Sequence, residues 1–174
     1  MKGLVEAETF ARKKHIHQTR NDPNIPYSDH LEKVVEILRN LGITDETILA
    51  AGWLHDTIED TDTDFDSIRD RFGKNVADIV VSVTKDNRLP KKQREIKYAK
   101  DLKSSNIKSK IVKIADILAN VNDAPNAGRN TQWEKQQFVK KSKYWSYVSG
   151  VKPGKLAELS WANSEWNRLQ EKYS

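Results

Sequence analysis

The sequence predicts an all-α protein, and three observations carry that expectation. Apolar residues recur three and four positions apart along most of the chain. The alternation expected of strands is weak throughout, and only seven glycines and five prolines punctuate 174 residues. There is no internal repeat and no low-complexity linker. Residues 1–174 are therefore read as one domain, long enough to bury a sizeable core.

Residues 4–19 have helical apolar spacing, and so do 29–41, through Leu31, Val34, Val35, Leu38 and Leu41. The polar segment Asn21-Asp22-Pro23-Asn24-Ile25-Pro26 separates them as a loop. Gly42 ends the second helix; Thr44, with Asp45 and Glu46 in the first turn, starts a third that runs to about His55. Asp64 or Asp66 caps a short helix ending at Phe72-Gly73, and Val76 to Val83 forms the next, with Ile79, Val80 and Val83 inward. Pro90 opens a basic helix to about Lys103. The segment from Ile107 to Val121 is a helix whose inner stripe also carries Asp116, and helices over 131–149 and 155–172 flank a Pro153-Gly154 break. Trp133, Trp145, Trp161 and Trp166 are read as core and helix-packing residues.

With no cysteine, disulfides and thiolate zinc sites are excluded. The longest apolar stretches fall far short of the roughly 20 residues that span a membrane, and the N-terminus lacks a signal-peptide pattern. A soluble, cytoplasmic protein with no membrane association is expected. Thirty Lys and Arg against 25 Asp and Glu give a net charge of +5, which suits an anionic ligand. The lysines are scattered and no nucleic-acid-binding motif is present, so a phosphorylated small molecule is preferred to nucleic acid as partner. Oligomeric state is left open, a homo-oligomer included.

The chemistry concentrates in His55-Asp56-Thr57-Ile58-Glu59-Asp60, which directly follows the apolar run Leu49 to Leu54. Burying such groups is costly unless something pairs with them. A second isolated acid, Asp116, lies inside the apolar stretch Ile111 to Leu118, and an ion bound between the two segments explains both. Were the helix continuous, Glu59 would lie above His55 and Asp56, and Asp60 above Asp56, while Asn120 would share a face with Asp116. A further ligand is expected to be a histidine, and His15, His17 and His30 are the candidates that spacing leaves open. Two imidazoles with two carboxylates suit Mn²⁺, Fe²⁺ or Zn²⁺ better than Ca²⁺. Such an ion lowers the pKa of a bound water, and Glu59 and Asp60 would orient that water and manage its protons. The competing reading places Asp116 on a solvated helix edge beside Lys113.

Longer motifs carry a resemblance. They are Arg20, Pro26-Tyr27-Ser28-Asp29-His30, Leu54 to Thr61, Phe72-Gly73, Val83-Thr84, Leu89-Pro90-Lys91 and Lys113 to Asn120. In these the chain resembles the HD-domain phosphohydrolases, in particular the hydrolase domain of Rel/Spo proteins in its stand-alone form, the small alarmone hydrolases. The resemblance covers residues 7 to 123 and implies an HD-type helical bundle. It also implies a Mn²⁺-dependent hydrolase that removes the 3′-pyrophosphate from guanosine tetra- or pentaphosphate (ppGpp, pppGpp). By the same resemblance His30, His55, Asp56 and Asp116 are the metal ligands and Glu59 and Asp60 the catalytic pair. Arg20 stacks on the base, Lys91 lies near the phosphates, and Asn120 belongs to the substrate pocket. Departures fall at Leu31, Asn21, Asn122, Gln137 and Lys141, where relatives carry Pro, Lys, Arg, Arg and Tyr. They concern substrate contacts, so adenosine alarmones or the 2′-phosphate of NADPH are the alternative substrates, and a non-catalytic alarmone sensor is the alternative role.

Overall fold

A computed structural model describes residues 2–149 and 158–173. Among these residues it is built of α-helices, with no strand beyond an isolated bridge between Thr19 and Pro26. Helix α1 spans Lys2–Lys14, shorter than the expected 4–19. The apolar spacing that extended it included Ile16, which is 68% exposed. From Gln18 the chain instead folds back on itself: Arg20 N–H donates to Ile25 O, and Tyr27 N–H to Gln18 O. This hairpin-like loop starts α2 (Tyr27–Asn40) two residues before the expected position 29, with Pro26 ahead of its first turn.

Helix α2 stops at a Schellman motif. Gly42, at φ 74°, donates to Arg39 O, and Ile43 N–H reaches back to Leu38 O. Helix α3 (Glu46–Leu54) is capped by Asp45, whose carboxylate accepts from Thr47 N–H at 2.9 Å, rather than by Thr44. Asp45 also takes an ion pair from Lys108, so the acid at this position serves two partners. The helix does not run on through the His-Asp doublet. Residues 55 and 56 form a turn, with Asp56 at φ −99° and ψ −4°, and α4 (Thr57–Asp60) is a single short turn after it.

Asp64 caps α5 (Phe65–Phe72) by accepting from Ser67 N–H. Gly73, at φ 88°, then redirects the chain straight into α6 (Lys74–Val83), which starts before the expected Val76. Helices α7 (Lys91–Ser104), α8 (Ile107–Asp123) and α9 (Thr131–Val148) follow, the last two capped by Asn106 and Asn130, and α10 covers Glu158–Tyr173. The expected break at Pro153-Gly154 and the expected helix start at 155 lie outside the described residues.

Helix α8 is the centre of the bundle. Every residue from Ile111 to Ala119 is buried, and α2, α3, α6, α9 and α10 all pack against it. Trp145 of α9 stacks on Trp166 of α10 with ring centroids 4.4 Å apart, and Trp161 is partly exposed. Among the described residues no helix is long and apolar enough to cross a membrane. Helices α2 and α3 meet at Gly52, where an added Cβ would lie 2.6 Å from Leu38 Cδ1 and 3.3 Å from Val35 Cγ2, both buried. Gly52→Ala is therefore expected to lose net stability despite alanine's better helix propensity, because overpacking costs about 1–3 kcal/mol against a propensity gain of about 1. Chemical denaturation checks this, and an unchanged or raised midpoint would show that Leu38 moves aside freely.

Candidate functional site

Four side chains converge where α2, the turn after α3 and α8 meet. His30 comes from the first turn of α2, His55 and Asp56 from the turn, and Asp116 from the middle of α8. Asp56 Oδ2 lies 3.0 Å from His55 Nε2 and 3.6 Å from His30 Nε2. Asp116 Oδ1 lies 3.3 Å from His30 Nε2 and 3.7 Å from His55 Nε2. The break in the helix makes this convergence feasible, since adjacent residues on a regular helix point about 100° apart.

The donor set fits one divalent ion. Ligands held at about 2.1 Å around a single ion lie about 3.0–3.5 Å from one another, and these separations of 3.0 to 3.7 Å are close to that. Ligand atoms of His30, His55 and Asp56 all fall within 4.8 Å of each other. Both imidazole Nε2 atoms are buried without a hydrogen-bond partner, an arrangement that costs free energy unless a cation takes the lone pairs. The Gly52 carbonyl, 2.8 Å from His55 Nδ1, accepts the ring proton and leaves Nε2 as the free ligand atom.

Electrostatics point the same way. Burial alone would lower the pKa of His55, yet the carboxylates of Asp56 and Asp116 push it up to about 10. Asp56 is held well below the usual carboxylate range: burial opposes this, and the charge of His55 overcomes it. The two carboxylates thus favour positive charge at this point. Asp116 is buried at 3% exposure and is no solvated edge residue. Lys113, itself buried, approaches its Oδ2 at 2.6 Å, and Asn120 Nδ2 donates to its backbone carbonyl at 2.9 Å.

The other expected residues divide. Glu59 and Asp60 line the same cleft as His30, Asp56 and Asp116, and burial raises the pKa of both. Glu59 Oε2 accepts from Lys85 N–H at 2.8 Å. Arg20 donates to Asn120 Oδ1 at 3.0 Å and lies over the Tyr27 ring, so Arg20 and Asn120 border the site together. Lys91 is not brought in: it is exposed at the start of α7 and does not line the cleft. Of the histidines that spacing left open, His15 stacks on Tyr27 with centroids 4.7 Å apart, and His17 is exposed. Asn122 accepts from Arg168 of α10 rather than facing the cleft, whereas Gln137 lines a hollow beside Arg20 and Trp133.

Of the cleft's other side chains, sequence reasoning gave a substrate-contact position only to Lys141. Tyr27 Oη lies 2.7 Å from Asp56 Oδ2 and 3.0 Å from Asp60 Oδ2, tying a candidate ligand to a candidate acid. Lys85, Lys140, Lys141 and Tyr144 complete the lining. A signal for Lys141 was available, because Phe138, Lys141, Trp145 and Val148 recur at helical spacing on the inner face of α9. Counting the lysines as scattered charge left Lys85 and Lys140 without a role.

Comparison with known proteins places this arrangement. A family model described as "HD domain" matches residues 7–142. The chain belongs to the HD-domain family. Among its relatives is the Xenopus tropicalis protein named guanosine-3′,5′-bis(diphosphate) 3′-pyrophosphohydrolase MESH1, 39% identical over 153 residues, which are 87% of this chain and 83% of the relative. The Homo sapiens protein of the same name is 43% identical over 122 residues, 69% of this chain and 68% of that one. A solved structure described as a metazoan orthologue of SpoT that hydrolyses ppGpp superposes with a TM-score of 0.85. It is 30% identical in sequence, over 99% of this chain and 96% of that one. That solved structure shares the helical bundle over nearly the whole chain.

A divalent ion bound at these four residues should stabilise the folded HD domain. Mn²⁺ at 100 times its Kd is expected to add about 2.7 kcal/mol and a chelator to remove it, as followed by thermal melting; Asp56→Ala should show no such shift. Asp116→Ala should in addition cost about 3–5 kcal/mol without metal, because Lys113 is left buried and unpaired. Pairing it with Lys113→Met should restore much of that loss, and a double variant no more stable than Asp116→Ala alone would contradict the account.

Proposed function

We propose that the chain is a metal-dependent 3′-pyrophosphohydrolase of guanosine 3′,5′-bis(diphosphate), converting ppGpp to GDP and pppGpp to GTP with release of pyrophosphate. The observation that carries this reading is the pair of orphaned imidazole nitrogens facing two carboxylates at the floor of a lysine-lined cleft, in a chain whose relatives bear that activity in their names. His30, His55, Asp56 and Asp116 would hold one ion, and the mixed nitrogen and oxygen donors suit Mn²⁺. When bound there, it supplies a Lewis acid for a phosphoryl oxygen and a water acidified toward neutral pH.

The chain's own residues do the rest. Attack of the water oxygen on the 3′-linked phosphorus forms a new P–O bond and breaks the bond to O3′, and the diphosphate departs carrying the water's oxygen. One proton must leave the water and one must reach O3′. Glu59 and Asp60 are placed for that transfer, since both border the cleft beside Asp56 and burial lifts both pKa values toward the working range of a general acid or base. The Lys85 N–H fixes one oxygen of Glu59 and the Tyr27 hydroxyl one oxygen of Asp60, leaving the second oxygen of each to face the reaction. Arg20, fixed by Asn120 and Tyr27, offers a flat cation against which a purine base can stack.

Glu59→Gln is expected to retain Mn²⁺ binding while kcat falls about 10²- to 10⁴-fold, and Asp56→Ala to lose both. Pyrophosphate release from ppGpp, pppGpp and pppApp, and orthophosphate release from NADPH, each with and without Mn²⁺, check the substrate. The guanosine compounds should be cleaved fastest, and release of phosphate from NADPH alone would replace this reading with a 2′-phosphatase.

A further inference from the structure

Four ammonium groups line the cleft, those of Lys85, Lys113, Lys140 and Lys141, and they are not equivalent. Lys113 is committed to Asp116 Oδ2 at 2.6 Å. Lys85 pairs with Glu95 at 3.3 Å, and Glu95 is steadied by the Tyr144 hydroxyl at 2.6 Å. Lys85 and Lys113 also lie over the faces of Tyr98 and Tyr144, with ammonium-to-centroid distances of 4.9–5.6 Å. These two are anchored.

Lys140 and Lys141 are different. Among the described residues no carboxylate lies within ion-pair distance of Lys140, and its charged neighbours include Lys85, Lys113 and Lys91. The nearest carboxylate oxygen to Lys141 is Asp116 Oδ2 at 4.0 Å, already held by Lys113, while the Lys141 side chain is only 15% exposed. Burial lowers the pKa of Lys141 to about 8, with Asp116 opposing and Lys113 adding to it, and burial with Lys85 lowers that of Lys140 against the pull of Glu95. Lys140 is exposed and Lys141 largely buried, and two like charges set beside two others repel one another, so an anion lodged among them would offset that repulsion.

Asp116 fixes where that anion sits. Its Oδ1 faces the two imidazoles and its Oδ2 faces Lys113 and Lys141, so the lysines begin one carboxylate's width from the ion site. We infer that Lys140 and Lys141 form a subsite for the outer phosphate of the scissile diphosphate, and hence for the terminal phosphate of the pyrophosphate product. This rests on the hydrolase reading for its substrate and deepens it. A phosphoryl group seated at the ion has its second phosphate one bridging oxygen further out, over these two ammonium groups, whereas a phosphate monoester leaves them unfilled. The subsite thus selects diphosphate esters over monophosphate esters.

The test is isothermal titration of inorganic pyrophosphate and of orthophosphate into Mn²⁺-loaded protein, with blank titrations into Mn²⁺ alone. It uses the wild type, Lys140→Gln, Lys141→Gln and the double variant. The wild type should bind pyrophosphate at least about 10-fold more tightly than orthophosphate, and each substitution should weaken pyrophosphate roughly 10-fold while changing orthophosphate less than about 3-fold. Mn²⁺ affinity should stay at the wild-type value, and the melting temperature should not fall. Equal losses for the two anions, no loss, or weakened Mn²⁺ binding in Lys141→Gln would overturn the subsite, the last by showing that Lys141 acts through Asp116. Because binding is read without turnover, the two proposals fail separately. A wild type that prefers pyrophosphate through these lysines but leaves ppGpp intact refutes the nucleotide assignment alone.

Discussion

The carboxylate of Asp116 is buried on the central helix and cannot be solvated, so everything around it is arranged to stabilise a negative charge in an apolar interior. Lys113, one turn earlier on α8, takes one oxygen; the imidazoles of His30 and His55 and the amide of Asn120 crowd the other. A lone buried carboxylate would cost several kcal/mol, and a single partner seldom repays that cost in full. Asp116 is therefore the point from which the bundle is organised. The elements that reach it, α2, the turn after α3, and α9, are also the elements that pack on α8, so core packing and site assembly are one process.

The turn at His55-Asp56 meets the same constraint from the other side. Helix α3 is buried along Ile48 to Leu54, and continuing it would have sent His55 and Asp56 toward different neighbours. Ending it at Leu54 lets both side chains face α8. The missing side chain of Gly52 lets α3 approach α2 closely enough for His30 and His55 to stand with ring centroids 5.3 Å apart, and the Gly52 carbonyl then orients the His55 ring. A close helix contact and a ligand's tautomer thus depend on one glycine.

Much of this was legible in the sequence because burial and charge conflict there in ways that spacing reveals. An apolar run ending in four ionisable residues and an acid inside a second apolar run identify the two segments, and the all-α bundle follows from periodicity. Three features were not legible. Helix α1 was drawn too long because Ile16 continued the apolar spacing while pointing to solvent. Thr44 was preferred to Asp45 as a cap because the sequence does not show that Lys108 would join Asp45 from the far side of the fold. The lysines of α9 read as scattered charge, and although spacing sets Lys141 on the inner face with Phe138 and Trp145, the sequence does not show that Asp116 of α8 lies opposite it.

That last omission bears on what the net charge of +5 means. A diffuse excess would favour any polyanion and would weaken quickly with salt. Here four ammonium groups are instead gathered in one cleft, where geometry, rather than charge alone, decides which anion fits. Four carboxylates line the cleft beside four ammonium groups, so the protein alone is near balance there, and a divalent ion would leave it about two charges positive. An anion that spans the ion and the lysines restores the balance, and one that reaches only the ion leaves Lys140 and Lys141 uncompensated. Discrimination by anion length is then a consequence of where α9 docks on α8, with base recognition resting on a separate set of residues around Arg20 and Asn120.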